Sequence, residues 1–256
     1  MSPLPILLCT LLSSTAALAS AEDAPPTGPA ASGADGIEAL RRAGELDKAL
    51  ATFRNTYSPT ARDEELLGAL HRVLIDPKLV ANDETRWARE VLRCRAQSAS
   101  ATLAQPAERG DPIVVSGHVR DASDRPVGGA LLYVFHADDA GRYTPARAMD
   151  EPNARLFAFL RTGSDGRFEF KTIYPGPYPE RKDVEGDARF VPRHVHFEIT
   201  ADGIATRRGQ MVFDDDPRMT PYWHEWARKG EHPIAHVTRA TDRGRLCSCD
   251  LMIHAK

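Results

Sequence analysis

Val191-Pro192-Arg193-His194-Val195-His196-Phe197-Glu198-Ile199 is the stretch on which the reading of this chain turns. Val195, Phe197 and Ile199 alternate with His194, His196 and Glu198, a period of two that belongs to a strand with one apolar face. The other face carries two imidazoles in succession. Residues i and i+2 of a strand lie about 6.5–7 Å apart at Cα on the same face, so two leaning side chains can meet at one metal ion. Taken alone, a His-x-His pair in a strand is more often a polar surface pair. The metal reading therefore depends on further ligands elsewhere in the chain.

Working outward from this strand, the two-residue period recurs. Val115, Gly117 and Val119 alternate with polar neighbours, and Asp124-Arg125-Pro126 is a turn. Ala130 to His136 is a nearly unbroken apolar run, which suits a central strand buried on both faces. Phe157 to Arg161 is another short candidate. Asp165-Gly166 is a hairpin signal ahead of Phe168 and Phe170. Gln210 to Phe213, Ala235 to Thr238 and Leu246 to Ile253 complete the set. About eight short strands with Gly/Pro turns predict a mainly β protein, an antiparallel β-sandwich over residues 111–256.

Upstream the period turns helical, from Gly36 to about Ser98. Leu46, Leu50 and Phe53 share one helical face, as do Leu66, Leu70 and Val73, and then Trp87, Val91 and Cys94. Ser58-Pro59 resembles an N-cap followed by Pro at the first helical position, Asp76-Pro77 stops that helix, and Asn82-Asp83 opens the next. Arg86, Arg89, Arg93 and Arg95 are expected to form a solvated face. The segment is too small for much chemistry and reads as a lid, a packing arm or a contact with a second copy. Residues 22–35 are a Pro/Gly/Ala linker. Residues 1–21 carry no charged side chain, and Ile6 to Leu12 is apolar. Small-x-small sites at Ala17–Ala19 and Ala19–Ala21 complete the pattern of a secretory signal peptide. An exported protein, periplasmic or secreted, with no stable membrane insertion after cleavage is expected. The formal net charge is −3 and the basic residues are scattered, so no nucleic-acid surface is indicated.

Two tyrosines stand out by context. Tyr143 ends Asp138-Asp139-Ala140-Gly141-Arg142-Tyr143, a loop just past the apolar strand. Tyr178 sits in Tyr174-Pro175-Gly176-Pro177-Tyr178-Pro179, where the Pro-Gly-Pro frame fixes the backbone around one side chain. Either one alone suits a half-buried aromatic with a hydrogen-bonded hydroxyl. In order along the chain stand Gly141-Arg142-Tyr143, Pro175-Gly176-Pro177-Tyr178-Pro179, Pro192-x-His194-x-His196-Phe197 and Gly209-Gln210-x-x-Phe213. This set resembles the intradiol ring-cleavage dioxygenases, the family of protocatechuate 3,4-dioxygenase and catechol 1,2-dioxygenase. The resemblance runs from about Val115 to Ile253 and includes Gly117-x-Val119-x-Asp121, Pro126-Val127-x-Gly129-Ala130 and Thr172-Ile173-x-Pro175-Gly176. The Pro-Gly-Pro-Tyr-Pro form is nearer the protocatechuate type.

The resemblance implies a non-haem Fe(III) ion held by Tyr143, Tyr178, His194 and His196. Phenolate is a hard anionic donor suited to Fe(III), and imidazole is compatible with it. The implied reaction uses O2 to split a catechol between its two hydroxyl-bearing carbons, giving a cis,cis-muconate type diacid. Tyr178 is the implied displaceable ligand and base, and Gln210 matches the family's polar partner near the site. One departure stands out. The family commonly has arginine three residues before the first histidine, facing the substrate ring; here that position is Val191. Arg193 and Arg189 are the nearby alternatives for substrate binding, although strand parity turns Arg193 away from the histidine face. Glu198 is held as a residue behind the site.

Other features weigh less. Cys94, Cys247 and Cys249 remain after cleavage. Cys94 bonded to one of the others, or three buried thiols, are equally open. His224-Glu225 followed by His232 is not His-Glu-x-x-His, which excludes the zinc-protease pattern. Asp214-Asp215-Asp216-Pro217 reads as a solvated turn rather than a Ca2+ loop. The rival from another class is a secreted β-sandwich binding module, its His-x-His pair non-catalytic or bound to zinc or copper.

Overall fold

The computed structural model describes residues 33–76, 78–179, 190–238 and 244–254. The expected signal peptide, most of the expected linker and Arg189 lie outside the described residues. Four helices come first: α1 Gly33–Arg42, α2 Leu46–Thr56, α3 Arg62–Ile75 and α4 Asp83–Arg95. Helix α1 begins three residues inside the stretch read as linker, because Ile37 and Leu40 sit one helical turn apart and pack on Ala49, Leu50 and Trp87. The N-cap of α3 is Ala61 rather than Ser58, and no side chain caps it. Asn82 caps α4 through a capping box with Thr85, satisfying two otherwise orphaned backbone donors.

The strands are β1 Ser100–Thr102, β2 Pro112–Asp121, β3 Leu131–His136, β4 Leu156–Arg161, β5 Arg167–Ile173, β6 Tyr178–Pro179, β7 Phe190–Val191, β8 His194–Thr200, β9 Arg207–Phe213, β10 Ile234–Thr238, β11 Arg245–Ser248 and β12 Leu251–Ile253, with helix α5 at Pro221–Lys229. The mainly β expectation holds. One sheet runs in the order β1-β5-β2-β11-β10-β9-β8-β3-β4, with β12 beside β2, and β6 pairs separately with β7. The pairing is mixed rather than purely antiparallel. Strands β1 and β5, β9 and β10, β2 and β11, and β2 and β12 run parallel. Each parallel pair is joined by a long excursion of chain, which a parallel connection requires; β9 reaches β10 through α5.

The strand expected over Val191–Ile199 is broken. Phe190 and Val191 pair with Pro179 and Tyr178, and Pro192 and Arg193 interrupt before β8. Beyond the break the alternation is as read: Val195, Phe197 and Ile199 lie in the main core with Leu132, Val134, Leu160, Phe168, Phe170, Met211 and Phe213. Strand β3 is buried on one face and half-covered on the other, where Tyr133 stacks on Phe135 and Phe159.

Helix α4 covers that second face, and of its arginines only Arg86 is exposed as expected; Arg89 is buried and Arg93 and Arg95 are partly buried. The Arg89 guanidinium lies 4.0 Å over the Phe157 ring and donates to the Ala154 carbonyl at 2.9 Å. Arg93 reaches Glu198 at 3.3 Å, while Arg95 ties back to Asp63 at 2.9 Å and Glu64 at 2.7 Å. Long arginine stems cover apolar surface while Arg93 and Arg95 pair with carboxylates; Arg89 has its Nη2 partner alone, its Nε and Nη1 being buried without a hydrogen bond among the described residues. Cys94, Cys247 and Cys249 are free thiols. Cys247 and Cys249 belong to the sheet core, and Cys94 lies on α4.

Candidate metal centre

Tyr143 and Tyr178 hang from two loops locked backbone to backbone. Asp138 organises the first loop: its carboxylate accepts the N–H groups of Ala140 (3.0 Å) and Arg142 (2.9 Å). Its carbonyl accepts Gly141 N–H at 3.0 Å and, from the second loop, Gly176 N–H at 2.8 Å. Gly141 has φ +74°, a left-handed conformation that glycine adopts without strain. A β-carbon on Gly141 would lie 2.6 Å from the Pro177 carbonyl oxygen. The glycines of Gly-Arg-Tyr and Pro-Gly-Pro-Tyr are therefore the contact between the two tyrosine loops.

The histidines come from β8. Asp216 fixes the start of that strand by accepting Arg193 N–H at 2.6 Å. Asp216 is buried, Asp214 accepts Val237 N–H at 2.9 Å, and Asp215 accepts the Tyr174 hydroxyl. The triple aspartate is thus a structural knot rather than the solvated turn expected. His194 donates Nδ1–H to the Pro192 carbonyl at 2.6 Å, which leaves the Nε2 lone pair available to a metal. The His196 ring stacks on Phe135 with centroids 4.6 Å apart and planes 4° apart.

These four side chains converge. Tyr143 Oη lies 2.9 Å from Tyr178 Oη and 2.8 Å from His196 Nε2. Tyr178 Oη lies 2.9 Å from His194 Nε2, and the two Nε2 atoms are 3.2 Å apart. The atoms form a closed four-membered ring of two phenol oxygens and two imidazole nitrogens. A point equidistant from four corners with such edges lies about 1.8–2.1 Å from each, depending on pucker, which is the bond length of first-row metals to oxygen and nitrogen. The donor set therefore fits a metal ion. Among the described residues no trio of His, Cys, Asp and Glu converges elsewhere.

The electrostatics set the resting protonation. Burial lowers His194 to about 4 and His196 to about 3, so both imidazoles are neutral at pH 7. Burial pushes Tyr178 up to about 12 and raises Tyr143 further, the neighbouring phenol adding to it. A cation must hold such phenols as phenolates.

Gln210 pairs directly with His196 across β8 and β9, so both side chains share a face. It lines a cavity of about 450 Å³ with Tyr133, Phe135, Glu151, His196 and His232. Arg193 is not brought to the four-atom ring. Its side chain donates to the Pro175 carbonyl at 2.9 Å and lies 4.7 Å over Tyr174, which buttresses the Tyr178 loop. Val191 packs with Tyr143, Tyr178 and Ala154, an apolar wall at the position where the family commonly has arginine. Glu198, expected behind the site, also lines this cavity, its carboxylate bonded to Arg208 at 2.8 Å and to Arg93 at 3.3 Å. Glu151 escaped the reading of the sequence, and His232 entered it only through the excluded zinc-protease pattern, not as a residue of this cavity. Each sits in a polar stretch without a motif, and only folding carries it to the cavity. His232 accepts Gln210 N–H at 3.1 Å and stacks on Trp226 with centroids 4.1 Å apart.

Residues 90–246 match a family model described as dioxygenase. The chain is 36% identical over 146 residues to the protocatechuate 3,4-dioxygenase beta chain of Burkholderia cepacia, covering 54% of this chain and 56% of that one. It is 30% identical over 117 residues to hydroxyquinol 1,2-dioxygenase of Rhizobium sp. (strain MTP-10005), covering 43% and 40% respectively. The aligned part thus spans about half the length of such relatives. The crystal structure of 3-chlorocatechol 1,2-dioxygenase from Rhodococcus opacus 1CP shares the fold, with TM-score 0.50 and 17% identity over 86% of this chain and 100% of that one. With the family model matched over more than half its length, this chain belongs to the intradiol ring-cleavage dioxygenase family.

Proposed function

We propose that the protein is a non-haem Fe(III) intradiol dioxygenase, cleaving a catechol-type ring with O2 to a cis,cis-muconate type diacid. The observation that carries this is the ring of donor atoms from Tyr143, Tyr178, His194 and His196. These residues would hold the ion, and two phenolates partly neutralise its charge in a buried site. Ferric iron, when bound, supplies Lewis acidity that draws electron density from a chelated catecholate.

The chain's own residues supply the rest. The His194 tautomer is set by the Pro192 carbonyl. A phenolate at Tyr178, deprotonated at the expense of the bound cation, would take a proton from a catechol hydroxyl. Gln210 offers an amide beside His196 to orient the ring. The surface binding module is the weaker reading, because His194 is 3% exposed and tied to a buried phenol. The sheet is read as a β-sandwich: Arg161 N–H bonds the Ser98 carbonyl at 2.9 Å, bringing the strand-path end at β4 back towards the segment leading into β1. The uncharged first 21 residues support export.

Oxygen uptake by the iron-loaded protein with a panel of catechols, with product spectra, is the test. Tyrosinate-to-Fe(III) charge transfer should colour the protein red to burgundy. A colourless iron-replete sample that consumes no oxygen refutes the proposal.

A further inference from the structure

The cavity beside His196 has two carboxylates on its wall, Glu151 and Glu198. Glu198 is neutralised by Arg93 and Arg208. Glu151 differs. It sits in the short 3-10 turn Glu151–Asn153 between Tyr143 and β4, and is partly buried. Among the described residues, no hydrogen bond or ion pair engages its carboxylate, and its backbone carbonyl alone is used, by Ala154 N–H. Burial raises its pKa, and its charge is felt at both Tyr143 and Tyr178.

A carboxylate with no partner among the described residues, on the wall of a binding cavity, selects its ligand by charge. No described cation offsets it. Arg193 turns to Pro175 and Tyr174. Val191 contributes only apolar surface. Arg208 is bound to Glu198 and its side chain is 77% exposed, where solvent screens it.

We propose that Glu151 is a specificity-determining residue that selects catechols whose ring substituent is cationic or donates hydrogen bonds, and rejects catechols bearing a carboxylate. This rests on the dioxygenase reading for the catechol itself, and adds the substituent. A cationic substituent near Glu151 gains a charge-assisted hydrogen bond. An anionic one meets like charge in a partly desolvated place.

The test is equilibrium binding to the iron-loaded protein without oxygen, using 4-(2-aminoethyl)catechol and 3,4-dihydroxybenzoate as probes, with unsubstituted catechol as reference. Oxygen uptake with the same three compounds follows. The wild type should bind the amine at least about tenfold more tightly than the carboxylate. Glu151→Gln keeps shape and removes charge; it should shrink that ratio by about tenfold, each affinity being taken relative to catechol in the same variant. Glu151→Asp should retain the preference. An unchanged ratio in Glu151→Gln, or a wild type that prefers the carboxylate or binds neither probe, overturns the assignment. The two readings fail separately. Selective binding that switches in Glu151→Gln without ring cleavage of any catechol supports Glu151 and refutes the dioxygenase reading. Cleavage with unchanged selectivity overturns Glu151 alone.

Discussion

Gly176 and Asp139 meet backbone to backbone: a β-carbon on Gly176 would fall 2.3 Å from the Asp139 carbonyl oxygen and 2.5 Å from the Gly141 nitrogen. Neither partner atom belongs to a flexible side chain, so the two loops must part to admit a methyl group. Tyr143 and Tyr178 would part with them. Gly176→Ala is expected to destabilise the fold by about 1–3 kcal/mol and to lower iron retention at least about tenfold, a factor worth about 1.4 kcal/mol. Denaturant titration and iron content per chain measure the two effects. Wild-type iron content would refute the role given to this contact.

The two phenols are expected to behave differently. Tyr178→Phe removes the proposed base and one donor while leaving Tyr143. Activity should fall by about two orders of magnitude or more, with part of the visible absorption kept. Tyr143→Phe removes the oxygen that bridges Tyr178 and His196, so colour and iron should both decline. Visible spectra and oxygen uptake on the two variants decide this, and full turnover in Tyr178→Phe would refute the ligand assignment.

The metal-free fold should weaken in acid. His136 is fully buried, its ring nitrogens bonded to the Ala137 carbonyl and the Thr172 hydroxyl, each at 2.7 Å. Burial lowers it to about 4, with His194 likewise about 4 and His196 about 3. Unfolding returns each to the ordinary value near 6.5. Between those limits the unfolded chain binds more protons, so stability rises with pH and is lost as pH falls below about 6.5. His136 alone accounts for about 3 kcal/mol across that window. Urea midpoints of the metal-free protein from pH 7 to pH 4 test this, and a flat profile would count against neutral buried imidazoles.

Arg93 and Glu198 join α4 to the strand that carries the histidines, with side chains only 14% and 17% exposed. A double-mutant cycle with Arg93→Ala and Glu198→Ala should give a coupling of about 1–2 kcal/mol. Glu198 also binds Arg208, so Glu198→Ala should cost more than Arg93→Ala. Additive single effects would show that α4 is held by its apolar face alone.

Much of the site was legible in the residues themselves. The alternation around His194 and His196 follows from strand geometry, which any sheet imposes, and the glycines and prolines around Tyr143 and Tyr178 mark loops that must hold one shape. The order of those motifs pointed to the family. What the residue string did not contain was contact between distant segments. Parallel strand pairs, the buried Arg89 of α4, the Asp216 bond that starts β8 and the arrival of Glu151 at the cavity all join residues far apart in the chain. Local period and propensity carry no record of such contacts. The sequence by itself determined which side chains were available and how each would face along its own strand or loop. Only the tertiary structure decided that four polar atoms close into one ring, that the Arg193 guanidinium is spent on Pro175 and Tyr174, and that Glu151, with no partner for its carboxylate among the described residues, lines the cavity, because those outcomes depend on how separate pieces of chain pack against one another.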